Sequence, residues 1–168
     1  MRPNTNEYGA YYQGYIDKVP AGTIVDNLKK SIAETKAVIL TIPESKSDYA
    51  YADGKWTIKE LLCHVIDVER VMSYRAVSVA RNDRTALPGF DHDNYAVESN
   101  ANERTIANLM EEFEAVRMAT ILQFQHFTDE MLVRIGTASN HPISTRALAF
   151  IIIGHETHHM QILKERYL

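Results

Sequence analysis

A single cysteine, Cys63, is all the thiol this sequence of 168 residues holds. A disulfide within the chain and a cysteine-based zinc knuckle are both excluded. Glycine and proline are sparse too, at 7 and 5 residues, so there are few places where a helix must break. No apolar run is long enough to cross a bilayer, and Met1 to Gly14 is polar and tyrosine-rich, without the apolar segment of a signal peptide. A cytoplasmic protein without a membrane partner is expected. Positive charge is short as well: 18 Lys and Arg stand against 22 Asp and Glu, a net charge of -4 with no basic cluster. That balance argues against a nucleic-acid partner.

What remains is helical. Hydrophobic residues make up 45% and charged residues 24% of the chain, ordinary for a globular protein of this size. Four segments carry helical periodicity. The first runs from about Thr23 to Ile42, with Ile24, Leu28, Ile32 and Thr35 on one side and Pro43 as its stop. The second opens on the capping-box sequence Thr57-Ile58-Lys59-Glu60 and continues to about Asn82. The third spans about Asn102 to Phe127, and the fourth starts at Ser144, a suitable N-cap, and reaches Tyr167. No segment alternates with period two long enough to suggest a sheet. The expected fold is all-α: one domain over 1–168, an up-down four-helix bundle with an N-terminal arm at 1–20 and a long loop between the second and third helices. That loop, Asp83 to Asn100, is long for a helix connection. Its Phe90, Asp91 and Tyr95 are candidate site walls, or the loop simply spans the end of the bundle.

The chemistry concentrates in Gly154-His155-Glu156-Thr157-His158-His159-Met160-Gln161. His155 and His159 are four residues apart and share a helical face with Leu148, Ile151, Ile152, Ile162 and Leu163. Two imidazoles in an apolar stripe need partners, because an unsatisfied buried polar group is costly. A divalent metal satisfies both at once. His158 lies to one flank, so His155 with His158 is the fallback pair. A third ligand must come from another helix, and His64 in the second segment is the candidate; the alternative is a core histidine bonded to a backbone carbonyl. His92 and His141 read as solvated, and His126 ends the third segment, where a cation suits the helix dipole.

The string from Trp56 through His64 to Asp67, followed by Glu69-Arg70 and Tyr74-Arg75, resembles the second-helix signature of the DinB-like superfamily. Leu87-Pro88-Gly89-Phe90-Asp91 and the closing Gly154-to-His159 motif resemble it too, so that the resemblance covers about Thr23 to Tyr167. It implies a four-helix bundle, often dimeric, that holds nickel or zinc through three histidines. Carried over residue by residue, these are His64, His155 and His159. Nothing here supplies the paired metal-binding carboxylates of a lesion-bypass DNA polymerase.

Three neutral histidines leave a metal its full charge and an open position, the arrangement of catalytic sites. The resemblance implies a metal-dependent enzyme that activates a low-molecular-weight thiol (bacillithiol, mycothiol or glutathione) or water on a small-molecule substrate, as a thiol S-transferase or hydrolase. The alternative is a non-catalytic bundle binding metal or small ligands in a stress response. Asp67, one turn beyond His64, is expected either to orient a ligand or to pair with Arg70 or Arg117. Arg75, on nearly the same face as His64, is expected either to hold an anionic thiol or carboxylate or to pair with Glu111 or Glu114. Cys63 points about 100° away from His64 and reads as a packed residue. Phe150 and Ile153 lie opposite the histidines on the fourth helix. A helix apolar on both sides is buried on both sides. A homodimer is the expected cover, with the N-terminal arm and its Tyr8, Tyr11, Tyr12 and Tyr15 as the competing one.

Overall fold

Each long helix begins where a hydroxyl can accept a hydrogen bond from a backbone N–H that has no partner in the first turn. In a computed structural model describing residues 1–168, the elements in chain order are α1 (Gln13–Ile16), α2 (Ile24–Ile39), α3 (Ile58–Ala80), α4 (His92–Glu98), α5 (Ile106–Gln125), α6 (Asp129–Leu132), a hairpin of β1 (Ile135–Ala138) and β2 (His141–Ser144), and α7 (Thr145–Ile162). Thr23, Thr57, Thr105 and Ser144 cap α2, α3, α5 and α7 through their side chains, and Thr57 with Glu60 completes the capping box. The expected termini shift slightly. α2 ends at Ile39, short of Ile42; Asn102 lies in a separate turn before α5; and α7 relaxes into a wider π turn over Leu163–Tyr167.

The chain is all-α in its bulk, but two features depart from expectation. The first is the small antiparallel hairpin, which pairs Ile135 with Ser144 and Ala138 with His141. Its two turn residues, Ser139 and Asn140, both have positive φ, 50° and 65°, the geometry of a two-residue hairpin turn. Four-residue strands are too short to show a period-two pattern above background, so the sequence alone predicts no sheet.

The second concerns the order of the helices. α2 packs on α5 and α7, and α3 packs on the same two, so α2 and α3 face each other across a diagonal. Leu28 and Ser31 of α2 meet Arg117, whereas Lys36 meets Glu114, so α2 and α5 are antiparallel. Glu69 meets Arg117 and Ser73 meets Gln123, so α3 and α5 run parallel. His64 meets His155 and His159, while Val79, near the end of α3, abuts Gly136 in the hairpin that leads into α7, so α3 and α7 are antiparallel. The order is up, down, down, up, instead of the alternating order expected. The cause is the long connection between α3 and α5. It runs back along the bundle and lets α5 start beside the start of α3, where Thr57 donates to Asn102 (2.7 Å).

The interior is split. One apolar cluster joins the N-terminal arm, the hairpin and the first half of α7; the other joins the ends of α2 and α7 to the starts of α3 and α5. Arg117 lies fully buried in the bundle. It donates to Glu69 at 2.8 and 2.7 Å, to Glu156 at 2.8 Å and to the Ser31 hydroxyl at 2.5 Å, and Thr35 donates to Glu156 at 2.6 Å. Burial opposes the guanidinium charge, but the Glu156 and Glu69 carboxylates outweigh it and hold Arg117 protonated.

The arm covers the back of α7. Tyr8, Tyr12, Ile16 and Val19 are buried against Phe150 and Ile153, and Arg2 sits over the Phe150 ring at 5.5 Å. Arg146 pairs with Glu7; burial pushes the Glu7 carboxyl up, but Arg146 and the Asn4 N–H outweigh it and bring its pKa down to about 2. The apolar back face therefore finds its cover within the chain, as the competing expectation had it, and that face supplies no argument for a homodimer. Gly154 makes this docking fit: a Cβ there would stand 2.0 Å from the carbonyl oxygen of Tyr15. Gly154→Ala is expected to lift the arm and lower unfolding stability by about 2 kcal/mol or more. Urea unfolding and limited proteolysis within residues 1–20 test this, and wild-type values in both would refute the account of the arm.

Candidate metal centre

α3 and α7 cross with their buried stripes facing, and that places His64 opposite His155 and His159. The Nε2 atoms of His64 and His155 are 3.0 Å apart and those of His159 and His155 are 3.1 Å apart, and the three rings offer ligand atoms within 4.8 Å of one another. Nitrogens bound at about 2.0–2.1 Å to a tetrahedral zinc ion lie about 3.3–3.4 Å apart, so the two sides that meet at His155 are close to the length a metal needs. The protons argue the same way. A neutral imidazole has one N–H and one lone pair, and His155 Nε2 faces two neighbours at once. One N–H cannot satisfy all three nitrogens, whereas a cation at their centre can. The Nδ1 of His159 is buried without a partner, so that ring engages favourably only through Nε2.

The electrostatics prepare the rings as ligands. Burial pushes the His64 pKa down to about 4 and that of His159 down to about 3; it also pushes His155 well below the ordinary value, with His159 and His64 adding to the effect. All three are neutral at physiological pH, the form that binds metal. Trp56 packs on His64 at 4.5 Å between ring centroids and Tyr15 meets His155 edge-on at 5.3 Å, so each ring is held from its side.

The open side of the triangle faces a cleft of about 480 Å³, within the size range of small-molecule sites. Phe90 lines it, as expected. Asp91 instead caps α4, accepting from the N–H groups of Asp93 and Asn94, and Tyr95 packs behind Phe90 at 5.4 Å. Arg75 is inside the cleft wall and bonds the Pro88 carbonyl and the Ser139 hydroxyl, with neither Glu111 nor Glu114 near it; Glu114 is taken by Lys36. Asp67 does not line the cleft. Its carboxylate faces Arg70 at 3.6 Å and the Cys63 thiol at 3.9 Å; Arg117, the other expected partner, is committed to Glu69 and Glu156. Burial raises the Cys63 pKa and keeps it a thiol.

Sequence reasoning missed several parts. His92, read as solvated, is exposed but sits at the cleft mouth, 5.7 Å ring to ring from His64. His158 lines the cleft beside Tyr15, and Tyr11, Tyr12 and Tyr15 bring the arm into its wall. No periodic signal could place a loop or an arm there. The buried Arg117 could have been found, because it falls on the stripe of Met110, Phe113, Thr120 and Phe124.

A helical bundle with a three-histidine centre open to a cleft is the class these features define. The chain belongs to the DinB superfamily, whose sequence model matches residues 27–163. No curated protein matches the sequence. Among solved structures, the chain is similar to YfiT from Bacillus subtilis, described as a probable metal-dependent hydrolase with an unusual four-helix bundle topology (TM-score 0.76, 16% identity, 84% of this chain and 82% of that one). It is also similar to a DinB-like protein, YjoA, from the same organism (TM-score 0.61, 18% identity, 85% and 87%). A mycothiol-dependent maleylpyruvate isomerase shares the fold as well (TM-score 0.65, 9% identity, 86% and 59%).

Two outcomes are expected of the centre. His155→Ala should lose most bound divalent metal in elemental analysis and His158→Ala should keep it; loss in His158→Ala would move the pair to His155 and His158, and full retention in His155→Ala would refute the centre. After chelation, stability should fall as pH drops from 6.5 to 4.5. In that window the unfolded histidines take up protons while the buried ones remain neutral, so the unfolded state gains. His64 alone contributes about 2–3 kcal/mol by pH 4.5, readable in urea titrations at each pH. A flat profile would mean that the rings are hydrated in the folded protein.

Proposed function

We propose that this chain is a divalent-metal-dependent enzyme acting on a small molecule, of the hydrolase or thiol S-transferase type. The observation that carries the reading is the convergence of three neutral imidazoles, His155 lying 3.0 and 3.1 Å from its two partners and all three within 4.8 Å, with their open side on the cleft. No fourth His, Cys, Asp or Glu joins the group, and a position left free by the protein is the mark of catalytic rather than structural sites. Zinc or nickel suits an all-imidazole set. Bound there, the ion supplies Lewis-acid activation of water or of a low-molecular-weight thiol.

The chain's own groups divide the remaining work. Trp56 and Tyr15 keep water from the flanks of the ligand rings. His92, on the exposed side near His64, is placed to accept a proton from an entering water or thiol. Arg75 holds the far end of the substrate. Asp67, turned to Arg70 and Cys63 outside the cleft, takes no part. The description of YfiT as a probable metal-dependent hydrolase supports the hydrolytic form, and the mycothiol dependence of the isomerase supports the thiol form. The non-catalytic alternative, a metal- or ligand-binding bundle of a stress response, predicts binding without turnover. The test is elemental analysis of the protein as purified and after loading with Zn²⁺ or Ni²⁺, followed by assays of ester and amide hydrolysis and of thiol transfer with glutathione, bacillithiol and mycothiol. Close to one ion per chain is expected, with turnover abolished by chelation and by His64→Ala. Turnover that survives both treatments would overturn the reading.

A further inference from the structure

Arg75 is a buried charge without a counter-charge. Its side chain lies in the cleft wall and the residue is 2% exposed. One guanidinium nitrogen donates to the Pro88 carbonyl at 2.6 Å and to the Ser139 hydroxyl at 3.2 Å; the other terminal nitrogen reaches only the Met72 sulfur, at 3.6 Å. No carboxylate pairs with it, although the molecule neutralises its other deeply buried arginines, Arg117 and Arg146, with glutamates. Removing a charge from water without a partner is expensive. The cleft supplies no partner either, for its lining contains five histidines and Arg75 but not one Asp or Glu.

We propose that Arg75 and Ser139 form a carboxylate-binding subsite, and that the substrate is an elongated molecule with one carboxylate end and an apolar middle. The Nη1 group of Arg75, whose only partner is the Met72 sulfur, and the Ser139 hydroxyl can each donate to one of the two oxygens of a carboxylate. Ser139, already accepting from Arg75, has its own hydroxyl proton free to donate to one of them. A phosphate, with more charge and more acceptors, would call for further cationic groups, and the cleft holds none beside Arg75. The length follows from α3. Arg75 lies eleven positions after His64, a rise of about 16 Å along the helix. Side chains on a helix lean toward its N-terminus, which leaves on the order of 10 Å between the guanidinium and the histidines. Val68 and Met72 floor this interval, Ile151 lines it from α7, and the Phe90 ring stands 5.7 Å from the guanidinium carbon. The carboxylate end of the inference stands on Arg75 alone; the placement of the reacting end rests on the proposed metal-dependent function.

Hexanoate and its uncharged isostere hexanamide are the probes, titrated calorimetrically into the full chain both as purified and after chelation. Hexanoate should bind at least tenfold more tightly than hexanamide in both forms. Arg75→Met should abolish that preference while leaving metal stoichiometry unchanged, and equimolar inorganic phosphate should not compete. Equal affinity of the two probes in the wild type, a preference surviving in Arg75→Met, or displacement by phosphate would each overturn the carboxylate assignment. The wild-type comparison decides the matter even if the variant does not fold. Preference without metal binding would leave the subsite standing and remove the proposed function; metal binding without preference would do the opposite.

Discussion

One guanidinium ties the four long helices together. Arg117 on α5 reaches Glu69 on α3, Glu156 on α7, and both Ser31 and the Leu28 carbonyl on α2. A cluster of this kind adds little net stability over a well-packed apolar replacement, because desolvation of its charges offsets their attraction. Its effect is on register. Any slide of one helix past another would leave a buried charge without a partner, which costs several kcal/mol. Glu156 is the immediate neighbour of His155, and Glu69 lies little more than a turn beyond His64. The alignment that satisfies Arg117 therefore also brings the imidazoles of α3 and α7 into one triangle.

That triangle and the cleft above it are made in different ways. The ligands sit on α3 and α7, rigid elements with buried faces, as an accurate site requires. The cleft walls come from irregular segments: the arm supplies Tyr11, Tyr12 and Tyr15, the α3–α5 connection supplies Gly89, Phe90 and His92, and the hairpin turn supplies Ser139. Connection and hairpin are joined through the bridge between Leu87 and Ala138. The histidine triangle and Arg75 thus belong to the scaffold, and the rest of the cleft's shape belongs to what is laid over it.

The same division explains how much could be read from the sequence. The four helices announced themselves by 3.6-residue periodicity and by hydroxyl caps, and the three converging imidazoles by histidines on apolar stripes. Arg75 was visible as a candidate for the same reason, being in phase with His64. Glu111 and Glu114 do not pair with it because they lie too early on α5: Glu69 stands beside Arg117 and Ser73 beside Gln123, so the level of Arg75 falls beyond both; pairing across helices depends on a register that no single segment encodes. Of the two readings of Asp67 the structure shows the pairing with Arg70, because one turn of helix is enough to carry a side chain from the cleft to the flank. The hairpin was too short to leave a pattern, and the alternating helix order was a default that the long connection overrules. The arm's coverage of α7 rested on a contact between Gly154 and Tyr15, which are far apart in the chain.

The order of the helices also bears on how the molecule comes into being. In a bundle wound up and down in sequence, most contacts join neighbouring segments and folding is fast. Here the first long helix packs on the third and the second on the last, with Leu28 and Arg117 separated by 89 positions and His64 and His155 by 91. Contacts that close such large loops slow the search for the native state. The capacity to hold an ion therefore arises late, when the final helix docks, and a nascent or truncated chain lacking that helix has only one of the three rings.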